Sequence, residues 1–339
     1  MSFDKGWLAS LALVVLSAGS SSARAQEPVQ EEPNAFFTTP EWLGQKSVSD
    51  ADWARLEPLV ESLSASGERN IDGKFQLHLL TEGIAEWLVG EEADQDLRDE
   101  LAKYKEQFPK SAFWPILEAM EAHAAAWRAR GGGFSSTVTP EGWSFFRERN
   151  KNAWQLIRAA KSRSDRLPTW YEEAISIGMD ANVSDEELRA LFEEGIAKFP
   201  GYHPIYFSYA RQFSPRWGGN YEDADAFIRE QVAARTNPDG EVLYTRLYWL
   251  IDQNNGEDTD FFEESLVDWS RMRTGFELLL KSFPKSNWNR ANFGVYACRA
   301  GDAATFLKLR PSLEPISFRS AAPEGLSLEV CDARFIKKT

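Results

Sequence analysis

The chain has 339 residues, 43% hydrophobic and 13% aromatic, with 13 tryptophans, which excludes a disordered polypeptide and demands a packed body. Its 52 acidic residues outweigh 38 basic ones, for a net charge of −14. That balance works against unspecific attachment to nucleic acid or anionic lipid, because both need their phosphates neutralised.

At the amino terminus, Lys5 precedes the apolar run Trp7–Leu16, and Ala23-Arg24-Ala25 stands before Gln26. This is the pattern of a secretory signal peptide over residues 1–25, too short for a membrane span, and it predicts cleavage near Ala25 with no stable membrane insertion afterwards. Cleavage removes Lys5, Arg24 and Asp4, leaving 36 basic and 51 acidic residues, a charge of −15. Residues 26–46 are rich in Pro, Glu and Gln and show no sustained period, so they are read as a flexible leader.

From residue 47 onward the apolar spacing is helical. Ser49 with Asp52 forms a capping signature ahead of Trp53, Leu56, Leu59, Val60 and Leu63. After an Asp72-Gly73 turn comes a second stripe of Phe75, Leu79, Leu80, Ile84, Trp87 and Leu88. No alternating β-branched run appears before the tail, so an all-α fold of about twelve helices is predicted. Residues 47–310 are assigned to one helical-repeat domain, and residues 311–339 to a carboxy-terminal tail packed on the last helices.

Three segments share one frame. An apolar residue stands eight positions before a proline in Leu101/Pro109, Phe192/Pro200 and Phe276/Pro284, and each proline directly follows a phenylalanine. Proline ends the first helix and pushes its predecessor out of the helical region, while the apolar residue two turns back faces a neighbour. Between such units, Ser214-Pro215-Arg216-Trp217-Gly218-Gly219-Asn220 reads as the tight link of a helical hairpin. The two glycines allow a positive φ or a close backbone approach, and Asn220 caps the next helix. Trp217 is expected to seal that junction, with a ligand platform as the alternative. The stretch Phe146–Arg166 holds seven basic residues and reads as a solvated helix face.

The Phe-Pro frame resembles the tetratricopeptide repeat, best in Glu186–Ala210, although the hits are spaced 91 and 84 residues apart and form no regular array. A longer string of words covers about residues 70–305: Trp154–Ala160, Pro168–Tyr171, Phe199–Tyr206, Pro215–Gly219, Leu243–Trp249 and Phe283–Asp302. It resembles a family of exported bacterial helical-repeat proteins of unknown function. The resemblance implies a right-handed α-solenoid of antiparallel helix pairs with degenerate repeats, and a periplasmic or secreted location.

Little in the sequence points to catalysis. His78, His123 and His203 are scattered without a His or Cys at i+3 or i+4, so no metal or other cofactor is expected. Paired carboxylates are the one enzymatic idea, with Glu141 near Trp143, Glu172 and Glu173 beside Trp170, and Asp268 beside Trp269 as candidates. In Trp170–Gly178, however, the spacing turns Trp170, Ala174 and Ile177 inward and both glutamates outward. Cys298 and Cys331 can pair in an oxidising compartment and pin the tail, or remain two buried thiols.

The expected function is a non-catalytic binding or scaffold module of the bacterial envelope, engaging a protein or peptide on a concave helical surface and not nucleic acid. Trp143, Trp170, Tyr206, Arg211, Arg216 and Trp217 are its candidate contact residues. The alternative is an envelope carbohydrate-active enzyme of the α/α-toroid type.

Overall fold

The computed structural model describes residues 39–90, 95–131, 135–234, 239–255 and 260–336. The expected signal peptide and the leader up to residue 38 lie outside these. Among the described residues the fold is all-helical, with seventeen α-helices and no strand, more elements than the twelve expected. No described helix is long and apolar enough to cross a membrane. The described residues divide into two compact units: one holds the chain to Glu68 together with Phe75–Ile205, the other Arg69–Lys74 and the chain from Tyr206 onward.

The first unit contains α1 (Pro40–Ser49), α2 (Trp53–Ser66), α3 (Gln76–Val89), α4 (Gln95–Gln107), α5 (Trp114–Arg130), α6 (Pro140–Ser164), α7 (Pro168–Asp180) and α8 (Asp185–Lys198), and it ends within α9 (His203–Ala210). Helix α1 begins inside the stretch assigned to the leader. Thr39 caps it, with its hydroxyl accepting from Trp42 N–H, and Pro40 opens the first turn. Interlocking glycines dock it on α3. A Cβ on Gly44 would lie 2.2 Å from Leu80 O, and one on Gly83 would lie 2.1 Å from Glu41 O. The backbones therefore touch where both side chains are absent. The α2 cap also differs from the reading: Asp52, not Ser49, accepts from Arg55 N–H, while Ser49 closes α1.

Helix α5 is apolar on nearly every face and packs against α3, α4, α6 and α7, burying Ile116, Leu117, Met120, Ala124 and Ala126. Its alanines let the long α6 approach closely. The basic face of α6 is solvated as expected, and some of its cations find partners, Lys161 with Glu194 at 2.6 Å and Arg158 with Glu187 at 3.7 Å.

The second unit contains the rest of α9, α10 (Tyr221–Ala233), α11 (Asp239–Asn255), α12 (Phe261–Glu264), α13 (Trp269–Ser282), α14 (Asn287–Arg299), α15 (Ala303–Leu309), α16 (Pro315–Ala321) and α17 (Leu328–Phe335). Phe276 stacks on Phe293 at 5.0 Å and Trp249 on Trp288 at 4.3 Å, forming an aromatic centre between α11, α13 and α14. The carboxy-terminal helices fold back on α14. Helix α16 packs on α14, and the sulfurs of Cys298 and Cys331 lie 2.03 Å apart, a disulfide joining α14 to α17.

The Phe-Pro frame has one recurring geometry. Phe108, Phe199 and Phe283 each follow the last turn of a helix and donate their N–H to the carbonyl four residues back, at 2.8 Å in all three. Ser111, Tyr202 and Ser286 then donate to those phenylalanine carbonyls at 3.0, 3.0 and 3.1 Å, and a new helix opens soon after. Leu101, Phe192 and Phe276, eight residues before the prolines, are all buried.

Candidate functional site

A concavity suited to a ligand belongs to the first unit. Helices α4 and α6 both pack on α5, and the space between them above α5 is a cleft of about 490 Å³. Helix α4 presents Arg98, Leu101, Ala102 and Lys105, which share one face by their i, i+3, i+4 and i+7 spacing. Helix α5 supplies the floor with Trp114, Glu118, Glu121, Ala122 and Ala125, and α6 the opposite wall with Arg149, Asn152 and Leu156. Ala122 and Ala125 keep the floor low.

Trp114 is set by the turn before it. Ser111 Oγ accepts from Phe113 and Trp114 N–H at 2.9 and 3.1 Å, fixing the start of α5. Two cations cover the indole, Lys105 Nζ at 4.9 Å and the Arg163 guanidinium at 5.4 Å from the ring centroid. Arg163 also donates to Pro109 O at 2.8 Å, and Arg149 to Ala125 O at 2.8 Å. Neither arginine, nor Lys105, forms an ion pair among the described residues. Glu121, in contrast, is already engaged by Arg128 at 3.5 Å and Arg98 at 4.0 Å. Glu118 and Glu121 rise from the same helix, one turn apart, and do not face each other from opposing walls.

The six candidate contact residues are divided between the two units. Trp143 and Trp170 belong to the first unit, the other four to the second. Trp170 is 1% exposed and spends its indole N–H on Ile157 O at 2.9 Å, and Tyr206 is 2% exposed. Both rings are packed in the core. Trp143 is half-buried at the start of α6, with Arg130 5.0 Å over its ring. Arg211 and Trp217 do come together, the guanidinium 5.5 Å from the indole centroid. Trp217 closes a 3-10 turn over Pro215–Trp217, Gly218 takes φ 91°, and Gly219 lies against the Phe213 carbonyl. Asn220 Oδ1 accepts from Asp223 N–H at 2.7 Å, as expected of a cap. Arg216 lies in the same turn.

Glu172 overturns the amphipathic reading of α7. It points inward, 7% exposed, and receives a hydrogen bond from His78 Nδ1 at 2.6 Å and another from Tyr202 Oη at 3.3 Å. His78 Nε2 faces Glu82 at 3.2 Å. Burial alone would push the imidazole toward neutrality, but two flanking carboxylates prevail and hold its pKa well above the ordinary 6.5. With an acceptor on each ring nitrogen, the ring donates twice and is an imidazolium. Burial, reinforced by Glu172, raises the Tyr202 phenol. A second cluster joins His123 Nε2 and Trp127 Nε1 to Asp180 Oδ2 at 2.7 and 2.9 Å. Of the other candidate carboxylates, Asp268 caps α13 through Ser270 and Arg271 N–H, and Glu141 is exposed in the first turn of α6. The sequence reading missed the α4–α6 cleft; its one visible signal is the four-residue face of Arg98, Leu101, Ala102 and Lys105.

Compared with known protein families, curated proteins and solved structures, the chain finds no match.

Proposed function

We propose that the protein is a non-catalytic binding module of the bacterial cell envelope that holds a peptide or protein segment on its helical surface. The supporting observation is the cleft of about 490 Å³ between α4 and α6, a size typical of ligand sites, with an indole at its base and polar groups on its walls. Its carboxylates sit on one helix, and its cations sit on both walls, an arrangement suited to gripping a chain more than to acid–base chemistry across a bond. Export agrees with the leader pattern at residues 1–25, and the Cys298–Cys331 disulfide agrees with an oxidising compartment. The fold is proposed to be a right-handed, degenerate solenoid of helix pairs like the tetratricopeptide proteins, on the strength of the thrice-repeated Phe-Pro turn.

A photocrosslinking residue placed at Asn152, in the cleft, and at Arg147, outside its lining, tests the binding role in envelope preparations. Adducts to a peptide or protein from position 152 alone support it; equal labelling from both positions, or none from either, refutes it. Amino-terminal sequencing of the exported protein should begin at Gln26, and a product starting at Met1 would remove the envelope assignment.

A further inference from the structure

The cleft also carries a charge preference. Its lining has cations on both walls, Arg98 and Lys105 from α4 and Arg149 from α6, in a chain whose net charge is −14. A basic groove on an acidic protein is a local arrangement and does not follow from composition. Of its two carboxylates, Glu121 is held by Arg98 and Arg128, which leaves Lys105 and Arg149 as the wall cations that form no ion pair among the described residues. Lys105 and Arg163 lie over the Trp114 ring, and Arg149 rests on a backbone carbonyl and the Phe145 ring. An arriving carboxylate therefore meets cations whose other contacts are an aromatic face or a neutral oxygen, and charge-assisted hydrogen bonds to it replace weaker contacts.

The floor sets a second requirement. Leu101, Ala122, Ala125 and Leu156 with the edge of Trp114 form an apolar strip, low at the alanines, that accepts a large hydrophobic side chain. The carboxylates of Glu118 and Glu121 on that floor repel a continuous polyanion such as a nucleic acid strand. A peptide escapes the repulsion, because it can direct its acids to the walls and offer N–H donors to the floor.

Resting on the binding reading above, we propose that the α4–α6 cleft selects an acidic peptide segment, with a bulky apolar side chain seated on the Trp114 floor and flanking carboxylates held by Lys105 and Arg149.

Three fluorescein-labelled decapeptides with the same central Phe-Leu pair, flanked by Glu, Gln or Lys, test this by anisotropy with the chain from Gln26 onward. The Glu peptide should bind at least tenfold more tightly than the Gln peptide and weaken about tenfold between 50 and 300 mM salt, as charge contacts do. Lys105→Glu should weaken the Glu peptide about tenfold and strengthen the Lys peptide. Lys105 is exposed, so this variant should fold, and an unchanged circular dichroism spectrum checks that. Trp114→Leu should weaken all three peptides. If the Gln or Lys peptide binds as tightly as the Glu peptide, or Lys105→Glu changes nothing, the charge preference is overturned and the groove reading stands. A ten-nucleotide oligothymidylate binding more tightly than the Glu peptide overturns the peptide class. If none of the four binds, the groove reading falls as well.

Discussion

Both units hold part-buried carboxylates with tyrosine and arginine, and the first adds histidine. All three histidines lie in the first and both cysteines in the second. In the first unit, His78 and His123 carry buried or half-buried carboxylates, Glu172 and Asp180. In the second the same task falls to arginines and tyrosines: Arg299 grips Asp252 through both terminal nitrogens, Tyr296 donates to it at 2.5 Å, and Arg229 and Tyr248 share Asp225. Arginine keeps its charge at any accessible pH, whereas imidazole changes its charge near neutrality. The first unit thus holds a titratable imidazole, His78, among its buried groups, and the second a covalent clasp. Hydrogen exchange read peptide by peptide reports on each unit separately.

The largest effect should come from that clasp. The Cys298–Cys331 bridge closes a loop with a sequence separation of 33 residues. In the chain-entropy model such a loop is worth about 3–4 kcal/mol. Replacing both cysteines with serine should deprotect α14, α16 and α17 while the amides of α5 and α7 keep their exchange rates. Loss of protection in the first unit to the same degree would show that the two share one cooperative transition.

Next in size is Glu172→Leu, which leaves the His78 imidazolium with Glu82 alone and strips Tyr202 of its acceptor. A lost hydrogen bond to a charged group costs about 1.5–3 kcal/mol, so the melting temperature should fall by several degrees. His78→Gln gives the pH signature. The folded imidazole has its pKa raised above 6.5, so its stabilisation is fully present below that pH and is lost as pH rises through the folded value. The gap in stability between wild type and His78→Gln should be widest near pH 6 and shrink steadily on the alkaline side. A gap that grows with pH would mean that the ring is neutral and the ion-pair description wrong.

These residues also mark how far the sequence could be read. Phe199-Pro200 and Asn220 were legible because proline's steric rule and an N-cap act within four residues. The cysteines were legible as a pair because there are only two. Glu172 was not, because its partner His78 is 94 residues away, and a local amphipathic pattern assigns every glutamate to solvent. Helix α1 was hidden for a similar reason: its Pro-Glu-Gln composition resembles a linker, and the contact that docks it pairs Gly44 with α3 and Gly83 with α1. The cleft was hardest to foresee. It is a space between two helices that do not pack together, and a space has no residue pattern.

The α1–α3 crossing has a counterpart in the second unit, which allows a matched test. A Cβ on Gly275 of α13 would lie 2.0 Å from Thr245 Oγ1 and 2.2 Å from Glu241 O of α11, much as Gly83 meets Glu41 O. Gly83→Ala and Gly275→Ala should each cost about 1–3 kcal/mol through overpacking against backbone. The outcomes should nevertheless differ. Helix α1 is terminal among the described residues and can peel away, so Gly83→Ala should expose residues 40–49 to proteolysis while the α5 core persists. Helix α13 is held on both sides, by α11 and α14, and Gly275→Ala should lower the stability of the whole second unit without releasing a fragment.

The smallest effect probes the pH-flat side of the comparison. Asp302 caps α15, accepting from Thr305 N–H at 3.0 Å, Thr305 Oγ1 at 2.7 Å and Trp269 Nε1 at 3.0 Å. Partial burial pushes its pKa up, but these donors, with Arg273, prevail and hold it at about 2. Its folded value is depressed, so its contribution is complete above the ordinary 3.8 and disappears only as pH falls through about 2. Asp302→Ala should therefore cost about 1 kcal/mol, as lost caps do, and by the same amount from pH 5 to pH 9. Guanidinium titrations of wild type and variant at pH 5, 7 and 9 would show parallel offsets. An offset that tilts across that range would mean that a group titrating near neutrality reaches into the second unit, and the division of labour between histidine and arginine would fail there.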